Sequence, residues 1–99
     1  MNTKVREKIH RLVDLGIDVT EETEYVVGVE YTGHVNWIEL RVFKHDRYKD
    51  ATTENEPYLV NSYHSLEVLD DYDEEVVTSY LDRNIKILEN LLKEEKVNE

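Results

Sequence analysis

Residues 25–44 read YVVGVEYTGHVNWIELRVFK, and the period of this stretch decides the fold. Tyr25, Val27, Val29 and Tyr31 share one face, with Val26, Gly28 and Glu30 on the other, which is the alternation of a strand. Thr32-Gly33-His34 follows as a hairpin turn, with Gly33 free to adopt positive φ. The partner strand runs from about Val35 to Lys44. Ile38, Leu40 and Val42 point one way, and Trp37, Glu39, Arg41 and Phe43 point the other. The second set mixes aromatics with an opposite-charge pair, as suits a face only partly covered.

On either side of this hairpin the period becomes helical. Upstream, Thr3 is placed to cap a helix, and Val5, Ile9, Leu12 and Val13 fall at i, i+4, i+7 and i+8. Gly16 reads as its left-handed stop after Leu15, with Ile17 folding back on the last turn and Asp18–Glu24 as an acidic connector. Downstream, Asp73 reads as the cap of a long helix, with Glu74 and Glu75 in its first turn. Val77, Tyr80, Leu81, Ile85, Leu88, Leu91 and Leu92 form its apolar stripe, and Asn84 breaks any strict coiled-coil seam. Between hairpin and long helix, 44–56 has no apolar period and reads as a loop. A third strand covers Tyr58 to Tyr63, and the pattern leaves 64–69 open between more strand and a turn of helix. The expected architecture is one α+β domain over residues 1–99. An N-terminal helix precedes a three-stranded antiparallel sheet, and a long C-terminal helix packs on one sheet face.

Composition bounds the function. Ninety-nine residues hold one core, and the absence of cysteine excludes disulfides, thiolate metal sites and cysteine nucleophiles. Twenty-three acids against twelve bases give a formal charge of −11, which repels phosphates and argues against direct nucleic-acid or anionic-membrane binding. The first thirteen residues alternate charged and apolar positions, unlike a secretory leader, so a soluble intracellular protein is expected. Glycines stand only at 16, 28 and 33, which leaves no phosphate-cradling loop. Ser62, Ser65 and Ser79 show no nucleophile motif, and His10, His34, His45 and His64 share no metal-ligand spacing. The acids at 70–75 are contiguous and lack the central glycine of a calcium loop. No catalytic residue, metal or cofactor is expected.

Two acidic runs remain. Residues 18–30 carry five acids and 67–75 carry six, and neither holds a base. Helix-cap chemistry accounts for Asp73, Glu74 and Glu75 but not for the rest. The candidate partner-binding set is therefore Glu21, Glu22, Glu24, Glu67, Asp70, Asp71, Tyr72, Asp73, Glu74 and Glu75, read as a single acidic surface that docks on a basic one. Some 30 Å of duplex DNA carries roughly 18 charges, the same order as −11 gathered on one side. Tyr72, Tyr58 and Trp37 are candidate aromatic anchors. Lys4, Arg6, Lys8 and Arg11 against Glu7 leave the segment 3–13 at +3, the only basic part of the chain.

In size, acidity and order of elements the chain resembles small phage-encoded inhibitors. It is similar to acidic anti-CRISPR proteins that inhibit Cas9 by covering its DNA-contacting, PAM-reading region. The resemblance covers helix 3–15, strands 24–32, 35–44 and 57–64, and helix 73–96, and rests on no diagnostic motif. It implies a non-enzymatic DNA mimic acting in the cytoplasm of a bacterial host on a basic nucleic-acid-binding protein such as Cas9. The alternative is a small homodimeric structural or assembly protein of phage or bacterial origin, its interface supplied by the sheet or the long helix.

Overall fold

The central strand organises the domain. In the computed structural model, which describes residues 1–44 and 58–97, the elements are α1 (Thr3–Glu22), β1 (Tyr25–Thr32), β2 (Trp37–Lys44), β3 (Tyr58–Ser65) and α2 (Asp71–Val97). The strands form an antiparallel meander in the order β1-β2-β3. The inner row of β2, Ile38, Leu40 and Val42, is fully buried. Val5, Leu12, Leu15 and Val19 of α1 and Val77, Tyr80, Leu81, Leu88 and Leu91 of α2 close over that row. Both helices lie on this one face of the sheet, and the domain is 18 Å across its thinnest dimension, the depth of one helix layer on one sheet. This is the α-β-β-β-α architecture read from the sequence. The loop expected over 44–56 lies, apart from Lys44, outside the described residues.

Several local expectations are corrected. Gly16 does not stop α1, which continues to Glu22 and takes in most of the expected connector. Leu12, Leu15, Gly16 and Val19 fall at i, i+3, i+4 and i+7, so the buried stripe runs through the glycine and burial holds the helix past it. What Gly16 supplies is proximity: a Cβ there would lie 3.0 Å from Val27 Cγ1, so its absence lets α1 settle on β1. Ile17, expected to fold back on the helix end, is instead about half exposed, and Val13 also faces out. The cap is Asn2 rather than Thr3: its Oδ1 accepts from the Val5 N–H at 2.8 Å.

At the hairpin, the turn spans residues 33–36 and the left-handed residue is Asn36 (φ 54°), not Gly33. The Asn36 N–H donates to the Gly33 carbonyl (3.2 Å), and its own carbonyl accepts from Leu66 N–H (2.8 Å), tying the hairpin tip to the chain beyond β3. Segment 64–69 resolves as strand to Ser65 and then an irregular connector that bends at Leu69, with no helical turn. α2 begins at Asp71, two residues before the expected cap. Asn84, the polar break in its stripe, is 4% exposed and donates Nδ2–H to the Tyr80 carbonyl (2.9 Å), so its amide is satisfied within the helix.

The two edges of the sheet are treated differently. On β1, the Tyr25 and Val27 N–H groups turn away from β2 and are taken up by Thr23 Oγ1 and Thr20 Oγ1, each at 3.0 Å. These hydroxyls blunt that edge. On the outer sheet face Trp37 stacks on Tyr63 (centroids 5.0 Å apart), Glu39 and Arg41 pair at 2.6 Å, and among the described residues no helix covers them.

Gly16→Leu tests the helix–sheet contact. Leucine gains helix propensity of about 1 kcal/mol over glycine. The added side chain must nevertheless displace Val27, and a net loss of about 1–3 kcal/mol is expected in urea unfolding. A stabilised variant would show that α1 and β1 do not meet this closely.

Candidate partner-binding surface

The ten expected partner-binding residues do not form one patch. β1 and β3 run in the same direction, and each is joined to its helix by a short connector, so α1 and α2 are parallel. Three ion pairs follow that parallel order: Lys4–Glu74 (3.3 Å), Lys8–Asp82 (2.5 Å) and Arg11–Glu89 (3.4 Å). Glu67, Asp70, Asp71, Tyr72, Asp73, Glu74 and Glu75 therefore gather beside the start of α1. Glu21, Glu22 and Glu24 sit at its far end, about 30 Å away along a 20-residue helix. The expected single acidic surface is two separate groups. Sequence charge alone could not order them, because helix direction is set by the meander.

The ion pairs also explain the basic N-terminal segment. Lys4, Lys8 and Arg11 face α2 and lie against its carboxylates, so the +3 of residues 3–13 is largely an inter-helix complement. Exposed pairs of this kind contribute about 0–1 kcal/mol each; their clearer effect is to orient one helix against the other. Glu74 is thereby paired with a base. At the far end Glu24 pairs with Lys44 (3.4 Å), whose ammonium also lies over the Tyr25 ring.

The group at the start of α2 divides by role. Asp70 is the N-cap: its Oδ1 accepts from Asp73 N–H (2.8 Å), and its carbonyl accepts from Glu74 N–H (3.1 Å). Asp73 reaches back, its Oδ2 accepting from Leu69 N–H (3.1 Å), a reciprocal arrangement close to a capping box. Asp70 is exposed and Asp73 half-buried while they cap. Glu67, Asp71 and Glu75 are exposed, and no base pairs with any of these three among the described residues. Alongside them Tyr72 is 73% exposed and Leu69 79%. Leu69 was not singled out from the sequence. Its position one residue before the cap and off the α2 stripe is the signal that would have found it.

Among the described residues no group of three or more His, Asp or Glu side chains could hold a metal ion. His64 is occupied structurally: its Nδ1–H donates to the Ser65 carbonyl (2.7 Å) and its ring stacks on Tyr80, which in turn shares a hydrogen bond with Ser62 (2.8 Å). No helix among the described residues is long and apolar enough to cross a membrane. No family model, curated protein or solved structure matches this chain.

The division of labour within the acidic group is measurable. Asp70→Ala removes the cap and is expected to cost about 0.5–2 kcal/mol in chemical denaturation. Asp71→Ala should change stability far less. Equal losses at the two positions would overturn the assignment of Asp70 as the cap.

Proposed function

We propose that this chain is a non-enzymatic binding protein. In this reading its acidic end, the connector after β3 and the first turn of α2, docks on the basic nucleic-acid-binding surface of a partner protein and competes with DNA. One observation carries the proposal: Asp70, Asp71, Asp73 and Glu75 stand within one and a half helical turns without a basic partner among the described residues. Helix rise puts those residues along about 8 Å, a length of duplex that carries about 5 phosphate charges. The local density of negative charge thus approaches that of DNA, although the whole −11 is not gathered on one side. Leu69 and Tyr72 project beside the carboxylates and supply the apolar contact that lasting affinity requires, because surface charge chiefly accelerates encounter. Cas9 is the partner class suggested by the resemblance in size, acidity and element order, and it offers the basic DNA channel that this end would enter.

Glu67, Asp71 and Glu75 are the residues to change, because Asp70 caps α2 and Glu74 pairs with Lys4. The triple reversal Glu67→Lys, Asp71→Lys, Glu75→Lys is expected to weaken binding to a Cas9–guide complex at least tenfold while the chain stays folded by circular dichroism. Wild-type protein should inhibit DNA cleavage by that complex, and the inhibition should decline as salt is raised. Cleavage that continues unchanged with wild-type protein in large excess at low salt would sink the Cas9 reading. Inhibition unaffected by the triple reversal would sink this surface.

A further inference from the structure

Among the described residues the edge of β3 is open, and it is free of Asp, Glu, Lys and Arg and self-complementary. We infer that it pairs with the same edge of a second copy, antiparallel across a two-fold axis, to make a continuous six-stranded sheet.

The orientation of the edge follows from the ladder. On β1 the Tyr25 and Val27 N–H groups point away from β2, so the even residues of β1 bond to β2. The matching register makes Trp37, Glu39 and Arg41 the β2 residues that face β1, and Ile38, Leu40 and Val42 those that face β3. Val60, Ser62 and His64 therefore complete the ladder to β2, and beyond the irregularity at Val42/Phe43 the backbone groups of Asn61 and Tyr63 turn outward. Among the described residues no side chain caps those outward N–H groups, in contrast to the two threonine hydroxyls that blunt β1.

Charge selects the occupant. Residues 57–66, PYLVNSYHSL, are the longest stretch of the chain without Asp, Glu, Lys or Arg, in a protein of net charge −11. Exposed edges are commonly protected by lysine or proline within the strand, and β3 has neither. Two copies repel one another over most of their surfaces, and this neutral edge is where they can approach. Antiparallel pairing satisfies the outward groups of both copies at once, as an isologous contact requires. It also brings Tyr63, 63% exposed and stacked on Trp37, alongside the partner's strand, extending an aromatic row across the outer sheet face.

Sedimentation across a concentration series should show a monomer–dimer equilibrium that shifts towards dimer as salt screens the mutual repulsion, opposite in sign to the salt response expected for docking on a basic partner. Asn61→Pro removes only an outward N–H, which an edge strand tolerates, and should yield a folded monomer. The chain has no cysteine, so Asn61→Cys provides a single thiol beside its own copy. A short bis-maleimide should cross-link that variant, whereas Glu21→Cys, on the far end of α1, should react without cross-linking. Wild-type protein that stays monomeric at every concentration, or folded Asn61→Pro that still dimerises, overturns the inference. So does Asn61→Cys that labels but never cross-links; should Asn61→Pro fail to fold, this cross-link decides alone.

Discussion

Everything in this domain leans on the burial of one short row, Ile38, Leu40 and Val42. These three side chains on the central strand are fully buried, and both helices converge on them. Burying an aliphatic side chain of this size stabilises by roughly 1.5–3 kcal/mol before chain entropy is subtracted. A sheet of three strands has only one central strand, so its inner row is the only place where two helices can share a core. The remaining elements are arranged around that requirement: Gly16 lets α1 descend onto β1, and the stripe of α2 accommodates Asn84 by bonding it within its own helix.

A meander with a helix at each end makes those helices parallel, and the distribution of charge follows. The bases of α1 fall opposite the acids of α2 in order along both helices, which pairs Lys4, Lys8 and Arg11 with carboxylates at the surface. Glu21, Glu22 and Glu24 are carried to the end of the domain opposite the acids at 67–75. The run at the start of α2 is partly consumed by helix geometry, since Asp70 and Asp73 cap it, and Glu67, Asp71 and Glu75 are left to face solvent beside Leu69 and Tyr72. Packing both helices on one face also leaves the opposite face without a helix among the described residues, with the Trp37–Tyr63 stack and the Glu39–Arg41 pair on it.

Much of the fold was legible because period reports burial. The alternation over 25–44 and the stripe from Val77 to Leu92 identified a hairpin and a long helix, and the buried residues of both follow those patterns. The misreadings all concern residues whose local preference was overruled. Gly16 has the preference of a helix stop, yet the burial of Val19 carries the helix past it. Gly33 has the preference for positive φ, yet Asn36 takes it, where its carbonyl can hold Leu66. Thr3 and Asp73 are good caps displaced by Asn2 and Asp70, because the helix start depends on which side chain reaches a free N–H.

By itself the sequence determined the order and type of the elements, the core rows of β2 and α2 and the exclusion of cysteine chemistry, since each of these depends on local pattern or on composition. The direction of α2 relative to α1, and with it the separation of Glu21, Glu22 and Glu24 from the acids at 67–75 and the pairing of the basic helix, was decided only by the tertiary structure. Charge carries no period from which a distant partner can be read. Which carboxylates meet a base is set by how connectors and strand order fold the chain back upon itself.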